Sequence, residues 1–319
     1  MSRTEVQPGV GDRPQPPKAP GRRPSRPRPP LSREVVETRI LGVLKWITIA
    51  FFVIATLFPF YYMVMLSVRA IEDVALDPGA LWPPRGASLN AFGEVLRSVD
   101  DGGQGFVIFL RNSAVIALAS VVVTLVVSIL GAYAISRLEF FGRRQVHFLF
   151  LAVYLFPAIL LAIPLFVFFT RIGLRGSLFG LILVYVSQIV PVTIHMLRNY
   201  FETVPESLEE AAALDGASRL TIIRKVSLPL AMPAIMATSL FVFMIAWNEF
   251  LFALLFLVED RDRWTVSLGI SQLAGSIEVP DTVLMAGSVI LTVPIIVLFF
   301  ATERLLVEGF EAPAGAPRG

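Results

Sequence analysis

The chain has 319 residues, 55% of them hydrophobic and only 16% charged, an apolar excess over the roughly 45–50% of a soluble domain that calls for a bilayer as solvent. Its formal net charge of +2 does not describe a nucleic-acid surface, because a third of the 27 Lys and Arg fall in the first 39 residues. The absence of cysteine excludes disulfides, thiolate metal sites and cysteine nucleophiles.

Residues 1–39, with PGRRPSRPRPP over 20–30, are too polar and Pro-rich to bury a core, and a disordered basic arm is expected there. The apolar run that follows is about twice the 7–15 residues of a signal-peptide core and has no small-residue cleavage site after it, so it is expected to stay as a span. A helix rising 1.5 Å per residue needs about 20 residues to cross a hydrocarbon core of roughly 30 Å. Six segments qualify: 40–68, 114–136, 146–169, 178–197, 228–258 and 283–302. Pro59, Pro157, Pro164, Pro191, Pro233 and Pro294 lie within them, so kinked helices around a cavity are expected. The predicted fold class is therefore an all-α integral membrane protein with about six transmembrane helices, the membrane domain running over 40–308 and a short tail over 309–319.

Loop charge predicts the orientation. The arm, the segment around Arg137, Arg143 and Arg144, and the loop holding Arg198, Arg219, Arg224 and Lys225 are basic. The alternate loops are acid-balanced, with Glu72, Asp73, Asp77, Asp100 and Asp101 in one and Glu259, Asp260, Asp262, Glu278 and Asp281 in the other. By the positive-inside rule both termini and the loop after the fourth span are cytoplasmic.

That loop, 203–229, reads as two short helices. Thr203 and Glu206 have capping-box spacing, which predicts a helix from about residue 204 with Leu208, Ala211, Ala212 and Asp215 on one face. Asp215-Gly216 ends it, since Gly accepts the left-handed cap conformation. Ser218 caps a second helix with Leu220, Ile223 and Val226 on its apolar face, and Leu228-Pro229 opens the fifth span. On these patterns alone an interfacial amphipathic linker is an equal reading.

Glu210-Ala211-Ala212, then Gly216, Val226 and Leu228-Pro229 at fixed spacing, resemble the EAA loop of ATP-binding-cassette importer permeases, with Val where that family usually has Ile. WNEFLFALLF from Trp247, LWPPRGASLNAF from Leu81 and MAGSVILTVPIIVLFF from Met285 are similar to the maltose-type sugar branch of that family over about residues 40–310. The resemblance implies a non-enzymatic permease subunit in a bacterial or archaeal cytoplasmic (inner) membrane. It implies a homologous second permease, two ATPase subunits that bind ATP and Mg, an extracytoplasmic solute-binding protein and a sugar as solute. Glu210, Ala211, Ala212, Asp215, Gly216, Leu228 and Pro229 are then the ATPase-coupling residues. The loop 262–282 is implied to contact the binding protein through Gln272, Gly275 and Ser276. The tail, GFEAPAGAPRG, departs from the branch's Gly-Ala-Val-Lys-Gly-like ending, so no ATPase contact carries over to it.

Polar residues within apolar segments are candidates for the solute pathway: Ser187 and Gln188 in the fourth, Trp247, Asn248 and Glu249 in the fifth. Each has a plainer reading as an interhelical bond or interface anchor. Counted along a straight helix from Leu228, Glu249 lies about 32 Å away, near the outer interface. His147 and His195 lack companions for a metal, and no catalytic constellation is visible. The sequence has no G-x-x-x-x-G-K-[ST] cradle, so no cofactor is expected on this chain itself. The alternatives are an ATP-independent secondary transporter, which usually carries mid-membrane charges and repeats, and a membrane-embedded enzyme, which needs clustered acids or histidines.

Overall fold

The computed structural model describes residues 33–82 and 86–311, with side chains for all of these except 33–36, 147, 151, 154 and 304–311. Most of the predicted arm and tail lies outside the described residues. Where 1–39 and 309–319 are described they are helical: α1 already begins at Arg33, and the last helix runs to Glu311. Among the described residues every regular element is a helix.

The chain divides into two units at Leu57–Phe58, and α1, Arg33–Ser67, crosses that division. In the first unit α1 leaves Trp46, Phe51 and Phe52 exposed, a surface that water does not suit. In the second unit two short helices, α2 (Ile71–Leu76) and α3 (Asn90–Leu96), and a 3₁₀ turn at Val99–Asp101 precede α4, Phe106–Arg137. After it come α5 (Arg143–Leu155), α6 (Ala158–Arg171) and α7 (Leu178–Phe201). The short α8 (Glu206–Leu214), α9 (Arg219–Ile222) and α10 (Leu228–Leu230) lead to α11 (Met232–Asn248). The chain closes with α12 (Leu251–Leu257), α13 (Val266–Ala274) and α14 (Asp281–Glu311).

Four described stretches are long and apolar enough to span a bilayer: Glu37–Ser67, Phe106–Arg137, Leu178–Phe201 and Asp281–Glu303. Arg219–Leu230 together with Met232–Asn248 makes a fifth if counted as one, but the two are bent by 78°. The remaining difference from six is the third predicted segment, which is two helices of 13 and 14 residues broken at Phe156-Pro157. Pro157 breaks the helix because it sits at the cap with ψ 120, whereas Pro59, Pro164, Pro191 and Pro294 are carried inside helices. Pro233 causes no break, since it stands in the first turn of α11.

The long α4 runs through all three apolar clusters of the second unit. At its Phe106 end, Phe106 and Phe109 pack with Val95, Val266, Val283 and Ala286. In the middle, Ile116 and Ala117 meet Leu181, Val184, Val242, Phe252 and Phe256 from α7, α11 and α12. At its Arg137 end, Ala132, Tyr133 and Ile135 meet Ile194, Leu197, Phe201 and Ala231. Its buried row of Ser113, Ala117, Ser120, Thr124, Ser128 and Ala132 is small, so neighbouring backbones approach closely, and Ser128 and Thr193 hydrogen-bond across helices at 2.6 Å. At the Phe106 end the same logic admits α13: a Cβ on Gly269 would lie 2.6 Å from the Phe109 ring. Val266 N–H donates to Ser113 Oγ at 2.8 Å, and Asn112 Nδ2 donates to the Asp262 and Trp264 carbonyls at 2.8 and 3.0 Å, pinning the loop before α13 to α4.

Candidate functional site

The EAA-like segment is built at the Arg137 end of α4, and its local structure follows from its residues. Pro205 is the N-cap of α8 at φ −59 and ψ 126, so the helix begins at Glu206 and not at 204. The predicted capping box does not form. Thr203 follows the end of α7, where its hydroxyl donates back to the Tyr200 carbonyl at 2.7 Å, and the residue before a proline is held out of the helical region. The C-terminus is as expected. Gly216 has φ +81, its N–H donates to Ala213 O at 3.0 Å, and Ala217 N–H donates to Ala212 O at 3.0 Å, a Schellman cap.

Ser218 then caps α9, accepting from Thr221 N–H at 3.4 Å. The helix widens into a π-turn over Ile223–Ser227 before α10. Pro229 has no N–H for the carbonyl four residues back, and a π-turn accommodates that loss. The reading that Leu228-Pro229 opens the fifth span is therefore corrected: these residues finish the second short helix, and α11 departs at Met232 across the 78° bend. The apolar face also shifts, with Ile222 buried and Leu220 exposed.

One carboxylate ties this hairpin to the helix bundle. Glu209 accepts from Tyr133 Oη at 3.0 Å, Arg137 Nε at 3.2 Å and Ser227 Oγ at 2.9 Å. Arg137 also donates to Glu206 at 3.1 Å and to the Phe201 and Val204 carbonyls at 2.8 and 2.6 Å. The Arg137 and Glu209 side chains are 6% and 12% exposed, while Glu206 is 70% exposed. Tyr133, Arg137, Glu206 and Glu209 line a cavity of about 240 Å³ together with Glu210, Ala213, Arg219 and Ile222. Sequence reading singled out Glu210 and passed over Glu209, Arg137, Tyr133 and Ser227. Consecutive helix residues point about 100° apart, so of two adjacent glutamates only one faces the bundle, and here it is the first. Ala211 and Asp215 are exposed with Leu208 and Leu214, and Glu210, at the cavity, is exposed as well.

The pathway candidates separate. Trp247 is 3% exposed, stacks on Phe243 at 5.3 Å and donates from Nε1 to the Leu291 carbonyl at 3.0 Å, contacts that match its plainer reading as a packing residue. Asn248 is exposed and bonds the Met244 carbonyl at 2.8 Å. Glu249 follows the end of α11, where the helix breaks, so the straight-helix depth does not hold: the 17 residues of α11 are about 25 Å long. Its carboxylate accepts from Tyr185 Oη at 2.5 Å and from the Phe252 and Ala253 N–H groups at 2.9 and 3.2 Å, capping α12. Ser187 is exposed on α7, and the buried Nε2 of Gln188 has no protein partner.

Of the loop residues, Gly275 is exposed, and Gln272 and Ser276 are partly so. Residues 266–274 form a packed helix with Leu273 buried, which leaves the tip at 275–278, where Ile277 is fully exposed. Sequence reading missed Ile277. Its signal was an isoleucine flanked by Ser276 and Glu278 in the run GSIEVPD, where Val279 is the other aliphatic residue.

The model of the family described as binding-protein-dependent transport system inner membrane component matches residues 124–310. The chain is 37% identical to the inner membrane ABC transporter permease protein YcjP of Escherichia coli (strain K12), over 83% of this chain and 92% of that protein. It is also 37% identical to the trehalose/maltose transport system permease protein MalG of Thermococcus litoralis, over 88% of this chain and 98% of that one. Among solved structures, a chain of a bacterial ABC transporter involved in the import of the acidic polysaccharide alginate superposes with a TM-score of 0.75 at 26% identity, covering 87% of this chain and 99% of that chain. A chain of a bacterial alginate ABC transporter in complex with alginate pentasaccharide-bound periplasmic protein superposes with a TM-score of 0.62 at 16% identity, over 86% and 98%, a likeness of fold.

Proposed function

Given that the chain belongs to the binding-protein-dependent transport system inner membrane components, and so is a permease subunit of an ATP-binding-cassette transporter, we propose that it forms half of a sugar-import pathway and is driven through residues 203–229. The observation that carries the coupling part is the capped hairpin of α8 and α9–α10. It presents Glu210, Ala211, Leu214 and Asp215 outward at the Arg137 end of α4, α7 and α11, with Gly216 setting the angle between the two helices. Small exposed side chains let a partner's surface approach the α8 backbone, and the partner that fits is the ATPase subunit, which binds the ATP and Mg. A second homologous permease, a second ATPase and an extracytoplasmic solute-binding protein complete the assembly.

A sugar as solute rests on the relatives, of which the Thermococcus litoralis protein is named for trehalose and maltose. In the chain itself Ser187 and Asn248 offer exposed polar groups. The carboxylate of Glu249 is occupied by Tyr185 and the start of α12, so it shapes the break between α11 and α12.

Two measurements test this. Calorimetry of the cognate solute-binding protein against a panel of mono-, di- and oligosaccharides is expected to find a sugar ligand, and binding of another solute class alone would overturn the sugar assignment. Gly216→Pro tests coupling, because Pro cannot adopt φ +81. The variant complex is expected to reach the membrane at near-normal level, since the apolar spans are untouched, and to fail to link ATP hydrolysis to uptake. Uptake at the wild-type rate would favour the interfacial-linker reading.

A further inference from the structure

We propose that Arg137 and Glu209 form a mechanical joint that makes α4 move as one body with the first coupling helix, so that force reaches the span through this side-chain contact as well as along the backbone. The inference rests on the docking of α8 to an ATPase subunit proposed above. No backbone joins α4 directly to α8; α5, α6 and α7 lie between them in the chain. The connection is made by side chains. The Arg137 guanidinium, in the last turn of α4, contacts Glu209 and Glu206 of α8 at 3.2 and 3.1 Å. It also holds the carbonyls of Phe201 and Val204 at 2.8 and 2.6 Å, fixing the turn between α7 and α8. Glu209 extends the joint back to α4 through Tyr133 and forward to the π-turn through Ser227.

Three physical features make this contact stiff. The planar guanidinium uses Nε and both Nη atoms on separate acceptors, so it cannot rotate without losing several bonds. Both charges are nearly buried, at 6% and 12% side-chain exposure, so water screens them little. Removing Arg137 leaves the buried Glu209 without its ion-pair partner, whereas removing Glu209 leaves Arg137 with only the exposed Glu206 as its ion-pair partner. The remaining charges facing the cavity are Glu210 and Arg219, and neither bonds to Arg137 or Glu209. Since α4 takes part in all three apolar clusters, a displacement imposed at its Arg137 end is carried by the whole span.

The test uses the complete complex in nanodiscs, and the cysteine-free chain admits spin-label pairs directly. Labels at Leu130 on α4 and Ala213 on α8, both exposed, report the α4–α8 separation by pulsed dipolar spectroscopy. In the wild type one narrow distance is expected in the nucleotide-free and the ATP-vanadate-trapped states. Glu209→Gln is expected to broaden it and to introduce a nucleotide-dependent shift. Tyr133→Phe, which keeps the ion pair, should show a smaller shift and serves if Glu209→Gln fails to assemble. Glu202→Gln, outside the joint, should match the wild type. The joint is overturned if the wild-type distance itself shifts with nucleotide, or if both variants keep the narrow, invariant distance. Failure of the docking premise reads differently: a label at Leu214 would then be equally accessible with and without the ATPase subunits.

Discussion

Trp247 shows how a residue type with two uses is decided by its neighbours. An indole near a membrane interface serves equally well to stack on a sugar or to fill a core, and its depth along the helix does not choose between them. Here Phe243, one helical turn away, stacks on it, and the carbonyl of Leu291 on α14 takes its N–H, so both its apolar face and its donor are engaged. Trp247→Ala is expected to destabilise the subunit by about 3–5 kcal/mol, seen as lower thermal stability of the solubilised complex and a reduced membrane level, with unchanged solute selectivity in the surviving complex. Trp247→Phe keeps the stacking partner and loses the hydrogen bond, so a smaller loss of about 1 kcal/mol is expected. A change of selectivity at normal stability would return Trp247 to the pathway. Glu209 and Glu210 give the same lesson for charge: both are legible as carboxylates on a short helix, but which one faces the bundle depends on where Arg137 and Ser227 end up.

At the scale of elements, the two predicted short helices, the Gly216 cap and the Ser218 cap were legible, because capping depends on residues within one turn. The Thr203 cap was not, since the end of α7 competes for its hydroxyl. The predicted third and fifth spans were legible as apolar and illegible as continuous. Hydropathy counts residues and does not register a break at Phe156-Pro157, a bend of 78° before Met232 or the gap between α11 and α12. The stretch 262–282 was read as a loop implied to contact the binding protein, and it supplies α13, seated against Phe109 through Gly269. The binding-protein contact proposed for this loop is then expected at its exposed tip, 275–278. Burying the exposed Ile277 side chain on docking is worth about 1.5–3 kcal/mol. Ile277→Asp is accordingly expected to weaken stimulation of ATPase activity by the liganded binding protein about tenfold while basal ATPase is unchanged. Equal stimulation would remove this tip from the contact.

At the scale of the whole molecule, orientation rests on charge. The basic segments around Arg137–Arg144 and Arg198–Lys225 and the acid-balanced loops around α2 and α13 predict that Ser218 and Ser276 lie on opposite sides of the membrane. Because the chain has no cysteine, Ser218→Cys and Ser276→Cys can each be tested alone with an impermeant thiol reagent on intact cells. Ser276→Cys is expected to label from outside and Ser218→Cys only after permeabilisation; equal labelling from outside would overturn the topology. The sequence by itself determined the solvent, the helical class, the sidedness expected of each loop and the position of the two short helices after α7, because each of these follows from composition or from residues a few positions apart. The tertiary structure alone decided which glutamate is anchored, that Trp247 packs on its neighbours, where spans bend or break, and that a loop folds back as α13. Those outcomes depend on pairs such as Arg137 with Glu209, Tyr185 with Glu249 and Asn112 with Trp264, which are distant in the chain and meet only when the helices pack.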